Sequence, residues 1–430
     1  MLRTTTLSIA ALLGAVLVTP TSASAAGESC QGRAATIVGA NQSSHELEGT
    51  DGPDVIVTDG ASEVDARGGD DLVCITGSAY NPSVRAGTGD DVVDASASAT
   101  GSQTILGAGS DRYLGSTGFD VVRAGSTDKN FRDVDSERDV IDTGAAGETD
   151  LVFSGQDRVP NADEVHMTRG SLQWSGLAAA GAVLDGGADS GLQLTPEDDD
   201  DLTLDVVAGT IAVSGQDTLA MSGFTTYVVS TYEPTGSFVF RGTDADESLY
   251  LSARTSPRTT VTMGDGDDYA MLDIGAKMPA GSSYDAGDGR DLVDVIIPET
   301  VVGLDLAAGR LTTGRGRAAV AGFEDTNVMG REVTVRGTSG PNDISVYACR
   351  STVRARGGAD SVTAFNSQMD ERLGCRTRRG RWFGNGGDDV LRGTYGPDRL
   401  IGGAGRDTVN GSGGRDVCSA EVRTKCEVRR

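Results

Sequence analysis

Residues 384–419 read GNGGDDVLR, GTYGPDRLI, GGAGRDTVN and GSGGRDVCS: four units of nine in unbroken register. Each opens on Gly, carries Gly at its fourth place and Asp at its sixth, and has an apolar residue or Cys at its eighth. The sixth-place set is Asp389, Asp398, Asp407 and Asp416, and the eighth-place set is Leu391, Leu400, Val409 and Cys418. Self-similarity at a fixed period marks a stacked repeat architecture. Glycines at the front of a unit admit left-handed and crowded backbone, so six residues can wrap tightly. The last three suit a very short strand with one side chain facing inward. Two units then make one flat coil with a turn at each end. Stacking places Asp389 over Asp407 on one edge and Asp398 over Asp416 on the other, with coils about 4.8 Å apart. Bare carboxylates at that spacing repel by up to a few kcal/mol per neighbour at an effective dielectric of about 20. A hard cation between them, held by carboxylates and turn carbonyls, removes the repulsion, and Ca²⁺ accepts such all-oxygen ligands in flexible number.

The chain resembles the RTX family of hemolysin-type calcium-binding nonapeptide repeats. GGAGRDTVN (402–410) meets the pattern GGxGxDx-apolar-x at every defined place, whereas Thr394 replaces the second Gly in GTYGPDRLI. The resemblance implies a parallel β-roll with Ca²⁺ between successive turns, held by backbone carbonyls and the sixth-place Asp residues named above.

The same unit recurs upstream in looser register. GTDGPDVIV (49–57), ARGGDDLVC (66–74), AGTGDDVVD (86–94), LGAGSDRYL (106–114) and GSTGFDVVR (115–123) place Asp54, Asp71, Asp91, Asp111 and Asp120 sixth. Further units give Asp268 (263–271), Asp291 (286–294) and Asp360 (355–363), and degenerate hits surround Asp139, Asp150 and Asp157. These twelve sixth-place Asp residues are the candidate metal ligands. Insertions such as 76–85 are expected to loop out at turns. Between 160 and 240, strand-like runs at 202–207, 210–213, 225–229 and 237–240 lie between turn residues, with no 3.6-residue period to favour helix. A longer echo runs through this region. LDVVAG (204–209), SGF (222–224) and RGTDADESL (241–249) return as LDLAAG (304–309), AGFE (321–324) and RGTSGPNDI (336–344), with Asn342 where Asp is expected. This predicts a duplicated module inside one solenoid. The expected fold is all-β, a parallel β-roll or β-helix solenoid of nonapeptide repeats with a divergent β-rich middle. Its expected segments are 1–25, 26–160, 161–335 and 336–430.

The segment 1–25 has Arg3, an apolar run at 7–18 and Ala23-Ser24-Ala25, the pattern of a secretory signal peptide. The run is shorter than the roughly 20 apolar residues of a membrane span, and no later segment is apolar enough, so export as a soluble protein is expected. Lys and Arg number 37 against 63 Asp and Glu, a net charge of −26. That balance disfavours nucleic acid, which is bound through basic side chains on phosphates. An aromatic content of 5% leaves little to fill a thick globular core. An exported chain with six cysteines is expected to form three disulfides. Neighbour pairing would join Cys30 to Cys74, Cys349 to Cys375 and Cys418 to Cys426, one of fifteen connectivities.

Other constellations carry less. His45 and His166 are the only histidines, and no H-E-x-x-H, G-x-S-x-G or Walker loop is present, so no catalytic residue is assigned. The acidic run 198–201 reads as a solvated loop. Arg372, Arg376, Arg378, Arg379 and Arg381 beside Trp382 and Phe383 read as a surface loop closed by Cys375, although Arg forks there would suit an anionic wall polymer. The function expected is a secreted, non-enzymatic calcium-binding β-roll that folds on Ca²⁺ outside the cell. It would serve as scaffold or as a module meeting a cell-surface or wall polymer. The alternative is an exported polysaccharide-acting, lyase-like enzyme on a parallel β-helix.

Overall fold

The computed structural model describes residues 27–39, 46–77, 80–125, 135–145, 149–196, 201–231, 236–253, 257–365 and 373–429. The segment 1–25 and His45 lie outside them. The described residues form forty β-strands, of which thirty-six join one continuous ladder. Strands of three residues predominate at both ends, as Val55–Val57, Leu72–Cys74, Val390–Arg392 and Thr408–Asn410 illustrate. Each pairs in parallel with the strand two units away, which confirms two units per coil. The protein is a parallel β-roll solenoid.

The eighth-place side chains become the interior. Leu391 stacks on Val409 on one sheet, and Trp382, Leu400 and Cys418 stack on the other. A single inward column runs from Leu47 through Val64, Val84, Thr104, Val122, Val152, Leu172, Leu192, Tyr227, Leu249, Ala270, Val293, Thr326, Ile344, Val362 and Leu391 to Val409. Pairing thus passes without a break through 160–161 and 335–336. The column is polar at two steps, and both are satisfied. The Thr104 hydroxyl lies 3.1 Å from that of Ser102, which meets the Tyr113 hydroxyl at 2.7 Å, and Thr326 Oγ1 donates to Val293 O at 2.9 Å.

The middle differs in a way the parallel expectation missed. Strands there are long, among them Val183–Leu194, Leu219–Thr231, Asp291–Asp305 and Phe323–Arg336. The middle also buries larger groups, including Trp174, Phe224, Tyr227 and Phe240. Two antiparallel excursions interrupt the parallel winding, each opening on a hairpin: Leu202–Asp205 with Thr210–Val213, which pairs on antiparallel to the start of Leu219–Thr231, and the end of Asp291–Asp305 with Arg310–Thr313, which pairs on antiparallel to Gly316–Ala321. Four-residue connections are too short for a parallel crossover, so the chain reverses. The two hairpins are the two halves of the sequence echo. In each an Asp side chain accepts the amide three residues on (Asp205 from Ala208 at 2.9 Å, Asp305 from Ala308 at 3.0 Å). In each a left-handed Gly follows, Gly209 at φ +65° and Gly309 at φ +64°. Each Asp also pairs with an Arg one coil on, Arg241 at 2.9 Å and Arg336 at 3.0 Å.

The three disulfides follow the neighbour pairing, Cys30–Cys74, Cys349–Cys375 and Cys418–Cys426. The 76–85 insertion loops out only in part: Tyr80 is exposed, but Ser83–Arg85 opens the strand Ser83–Thr88 and Val84 lies in the inward column. Among the described residues no helix is long and apolar enough to cross a membrane.

Candidate metal centre along the coil edges

All twelve sixth-place Asp residues are buried, and the winding draws them into ladders. On the N-terminal edge, the amide of each donates to the carboxylate one coil later: Asp54 to Asp71 at 2.7 Å, then Asp71 to Asp91, Asp91 to Asp111 and Asp111 to Asp139 at 2.8 Å, and Asp139 to Asp163 at 3.0 Å. Asp120 donates to Asp150 in the same way. A second edge carries Glu247, Asp268, Asp291 and Glu324. The C-terminal roll carries Asn342, Asp360, Asp389, Asp407 and Glu421 on one side, and Asp398, Asp416 and Glu427 on the other. Asp389 therefore does stack on Asp407, and Asp398 on Asp416.

The amide ladder uses one oxygen per carboxylate. The other is orphaned, buried without a hydrogen-bond partner, in Asp71, Asp91, Asp111, Asp120, Asp139, Asp268, Asp291, Asp360, Asp389, Asp407 and Asp416. An unpaired buried carboxylate oxygen is costly. Burial, followed by neighbouring carboxylates, pushes Asp91 up to about 8, Asp268 and Asp360 to about 7, and Asp71, Asp111, Asp291 and Asp416 to about 6. Asp389 is raised for the same reasons.

Asp54 and Asp398 have a different environment, set by the second residue of the unit. In GTDGPD, Thr50 donates both its amide (2.7 Å) and its hydroxyl (2.9 Å) to Asp54 Oδ2. In GTYGPD, Thr394 donates its amide to Asp398 Oδ2 at 2.6 Å and its hydroxyl to both carboxylate oxygens, while Gly380 N–H reaches Oδ1 at 2.5 Å. The same hydroxyl then accepts the fourth-place amide, from Gly52 or Gly396. Thr243 with Glu247 and Thr338 with Asn342 repeat the arrangement. Ser116 does so with one oxygen of Asp120, leaving the other bare. Asp120 apart, wherever the carboxylate is orphaned in a complete unit the second residue instead has positive φ. This holds even for the non-glycines Arg67 (+73°), Arg356 (+91°), Asn385 (+79°) and Ser412 (+69°). A left-handed second residue turns its amide away from the carboxylate, and the turn no longer satisfies its own Asp.

The orphaned oxygens meet a backbone suited to a cation. Successive turns pack so closely that a Cβ added at Gly387 would lie 1.8 Å from Gly358 O, and one at Gly289 would lie 1.8 Å from Gly266 O. Carbonyls thus point across the gap between coils. Among the described residues no three His, Cys, Asp or Glu side chains converge on one point, so a metal on these edges would draw on carbonyls as well as on stacked carboxylates. That donor set is all oxygen, and it fits Ca²⁺.

Several contributors escaped the sequence pattern. Asp139 and Asp150 lay in degenerate hits, and Glu247 is the sixth place of GTDADE with one extra methylene. Asp163, Glu324, Glu421 and Glu427 fall outside any clean unit. Asp157 is exposed and joins no ladder. The remaining constellations serve other ends. Asp201 caps Ser237 through its amide and hydroxyl, while 198–200 lie outside the described residues. His166 sits between Glu164 (2.8 Å) and Asp185 (3.7 Å), which raise its pKa. The expected arginine loop is corrected. Arg372 lies outside the described residues, but Arg379–Gly386 is a strand of the roll. Trp382 lies fully in the core with its Nε1 donating to Ser351 Oγ at 3.0 Å.

The model of the RTX calcium-binding nonapeptide repeat matches this chain in four copies, over residues 105–128 and 383–418. No curated protein matches the chain. The second matched stretch is the C-terminal roll with its Asp389–Asp407 and Asp398–Asp416 steps, and the first includes Asp111 and Asp120. The protein therefore carries RTX nonapeptide repeats, a repeat that binds Ca²⁺.

Proposed function

We propose that this is a secreted, non-enzymatic calcium-binding β-roll whose folding outside the cell is driven by Ca²⁺, and which acts as a scaffold or surface-interaction module. The orphaned carboxylate oxygens stacked along the coil edges carry the proposal. Each three-residue strand buries little more than one aliphatic side chain, and a cation that binds only the wound form adds stabilisation that this thin interior does not supply. Calcium modules that work outside cells bind at about 10⁻⁴–10⁻³ M, so such a chain would stay loose where Ca²⁺ is scarce. The signal-peptide pattern of 1–25 and the three disulfides favour export.

The ions belong to turns with a left-handed second residue, those of Asp71, Asp91, Asp111, Asp268, Asp291, Asp360, Asp389, Asp407 and Asp416. Asp54 and Asp398 are stapled by threonine hydroxyls and need no metal. Between the edge that ends at Asp163 and the one that begins at Glu247, larger side chains hold the coils instead. Calorimetric titration of residues 26–430 with Ca²⁺, alongside circular dichroism, tests this. Chelator should leave a partly ordered, weakly stable chain whose spectrum becomes fully β-rich in millimolar Ca²⁺ but not in Mg²⁺. Absence of both heat and spectral change would overturn the proposal.

A further inference from the structure

The net charge of −26 is unevenly placed. Residues 336–430 hold 17 Lys and Arg against 11 Asp and Glu, a net +6, which leaves −32 for residues 1–335. Asp360, Asp389, Asp398, Asp407 and Asp416 among those eleven are buried in the ladders, so the surface there is more basic than the count. Six of the arginines, Arg336, Arg350, Arg354, Arg379, Arg381 and Arg399, lie on the outward side of one sheet, built from the C-terminal part of Phe323–Arg336, then Asp343–Gly357, Arg379–Gly386 and Arg399–Ala404. Registration sets Arg336 beside Arg354, Arg350 beside Arg379, and Arg381 beside Arg399. Like charges directly opposite across strands destabilise a sheet, yet this face has three such pairs in a chain rich in acid.

Ion pairing relieves only the edge nearest the middle of the chain. Arg336 meets Asp305, and Arg350 meets Glu332 at 3.0 Å. Arg354 lies over the Phe383 ring at 5.4 Å. Arg379, Arg381 and Arg399 are exposed, with no ion pair among the described residues. Beside Arg381 and Arg399, Phe383 and Ile401 form a half-buried apolar strip in the next column. The result is a row of outward arginines whose backbone positions lie about 4.8 Å apart across strands and about 6.6 Å along them, flanked by a surface that can take the apolar face of a ring.

We infer that this face binds an extended acidic polysaccharide. Arginine forks match carboxylates bidentately, and an extended chain can satisfy successive arginines without bending the sheet. The acidic remainder of the solenoid repels a dense polyanion such as duplex DNA, which carries a charge every 1.7 Å or so. A sugar polymer with one carboxylate per residue can be confined to the arginine face. The inference does not rest on the location of any cation.

The test uses residues 26–430 in Ca²⁺ with galacturonate decamers, neutral maltodecamers, inorganic polyphosphate and a 20-bp DNA duplex as probes. The variants are Arg381→Gln/Arg399→Gln and, as an equal-charge control on the acidic part, Arg85→Gln/Arg317→Gln, both exposed and outside the aspartate turns. We expect the decamer to bind and the maltodecamer not to. We expect the Arg381/Arg399 variant to lose at least tenfold in affinity, the control to change less than twofold, and affinity to fall with salt. The melting temperature of the Arg381/Arg399 variant should hold or rise, because a like-charge pair has gone. Unaltered binding by that variant would overturn the inference, since it would indicate Ca²⁺ bridging between acids. So would tighter binding of DNA or polyphosphate, equal binding of the neutral sugar, or a fall in melting temperature that marks these arginines as structural.

Discussion

Replacing Asp407 by Asn and, separately, Asp398 by Asn makes one chemical change on two turns of the same roll. Asp407 uses one oxygen to accept Asp389 N–H at 3.0 Å and leaves the other buried and bare. An Asn there keeps the acceptor and deletes the charge that would bind metal. At about 10 mM Ca²⁺ a site with Kd of about 10⁻⁴–10⁻³ M contributes RT ln(1 + [L]/Kd), about 1.4–2.7 kcal/mol. Asp407→Asn should therefore cost that much in Ca²⁺, cost nothing in chelator, and lower the bound-calcium count by one. Asp398 is saturated by Thr394 and Gly380. Asn342 shows how an amide fits such a turn: its Oδ1 accepts Thr338 N–H at 2.7 Å and its Nδ2 donates to Glu324 O at 2.7 Å. Asp398→Asn should leave the calcium count unchanged and cost at most about 1–3 kcal/mol for one mismatched hydrogen bond, equally with and without Ca²⁺. Urea unfolding in Ca²⁺ and in chelator, with calorimetric stoichiometry, measures both. A drop in calcium count for Asp398→Asn, or a loss for Asp407→Asn that is the same in chelator, would refute the division of turns.

Thr394→Val removes the hydroxyl that binds Asp398 and accepts Gly396 N–H, so chemical unfolding should show a loss of about 1–3 kcal/mol that Ca²⁺ does not restore. Metal-free protein should become less stable as pH rises. The carboxyls of Asp71, Asp91, Asp268 and Asp360 have folded pKa values of about 6 to 8, above the unfolded 3.8. Their stabilising protons are fully present below about pH 4 and lost through about pH 8, so melts in calcium-free buffer should fall between pH 5 and 8, and a rise would contradict the burial of these groups. Leu249→Ala opens the inward column between Tyr227 and Ala270 and should cost about 2–5 kcal/mol in denaturant unfolding. Opening the Cys349–Cys375 loop, a separation of 26 residues, with a double Ala variant should cost about 3–4 kcal/mol.

The nine-residue spacing was enough to read the roll, because what makes one unit is local. Glycine at the turn, Asp at the sixth place and an aliphatic at the eighth are all decided within a few residues, and the pairing of alternate units follows from winding two per coil. The edge stacking of Asp389 with Asp407 was legible for the same reason. The end caps Glu421 and Glu427 were not, because a longer side chain reaches the ladder from outside the register. The hairpins at 202–213 and 302–313 were visible as an echo but not as reversals of direction, which depend on how the flanking strands dock.

What the amino-acid order determined alone was the coil, its period and the row of acids on its edges, since each rests on contacts within a unit or between units at constant spacing. What the tertiary structure decided was which carboxylates are left bare and which arginines meet. Whether Thr50 or Thr394 silences its Asp depends on the backbone angle of one turn residue. That Arg350 lies beside Arg379 depends on a register that passes over twenty-nine positions of chain, including a disulfide-closed insertion whose length no local rule sets.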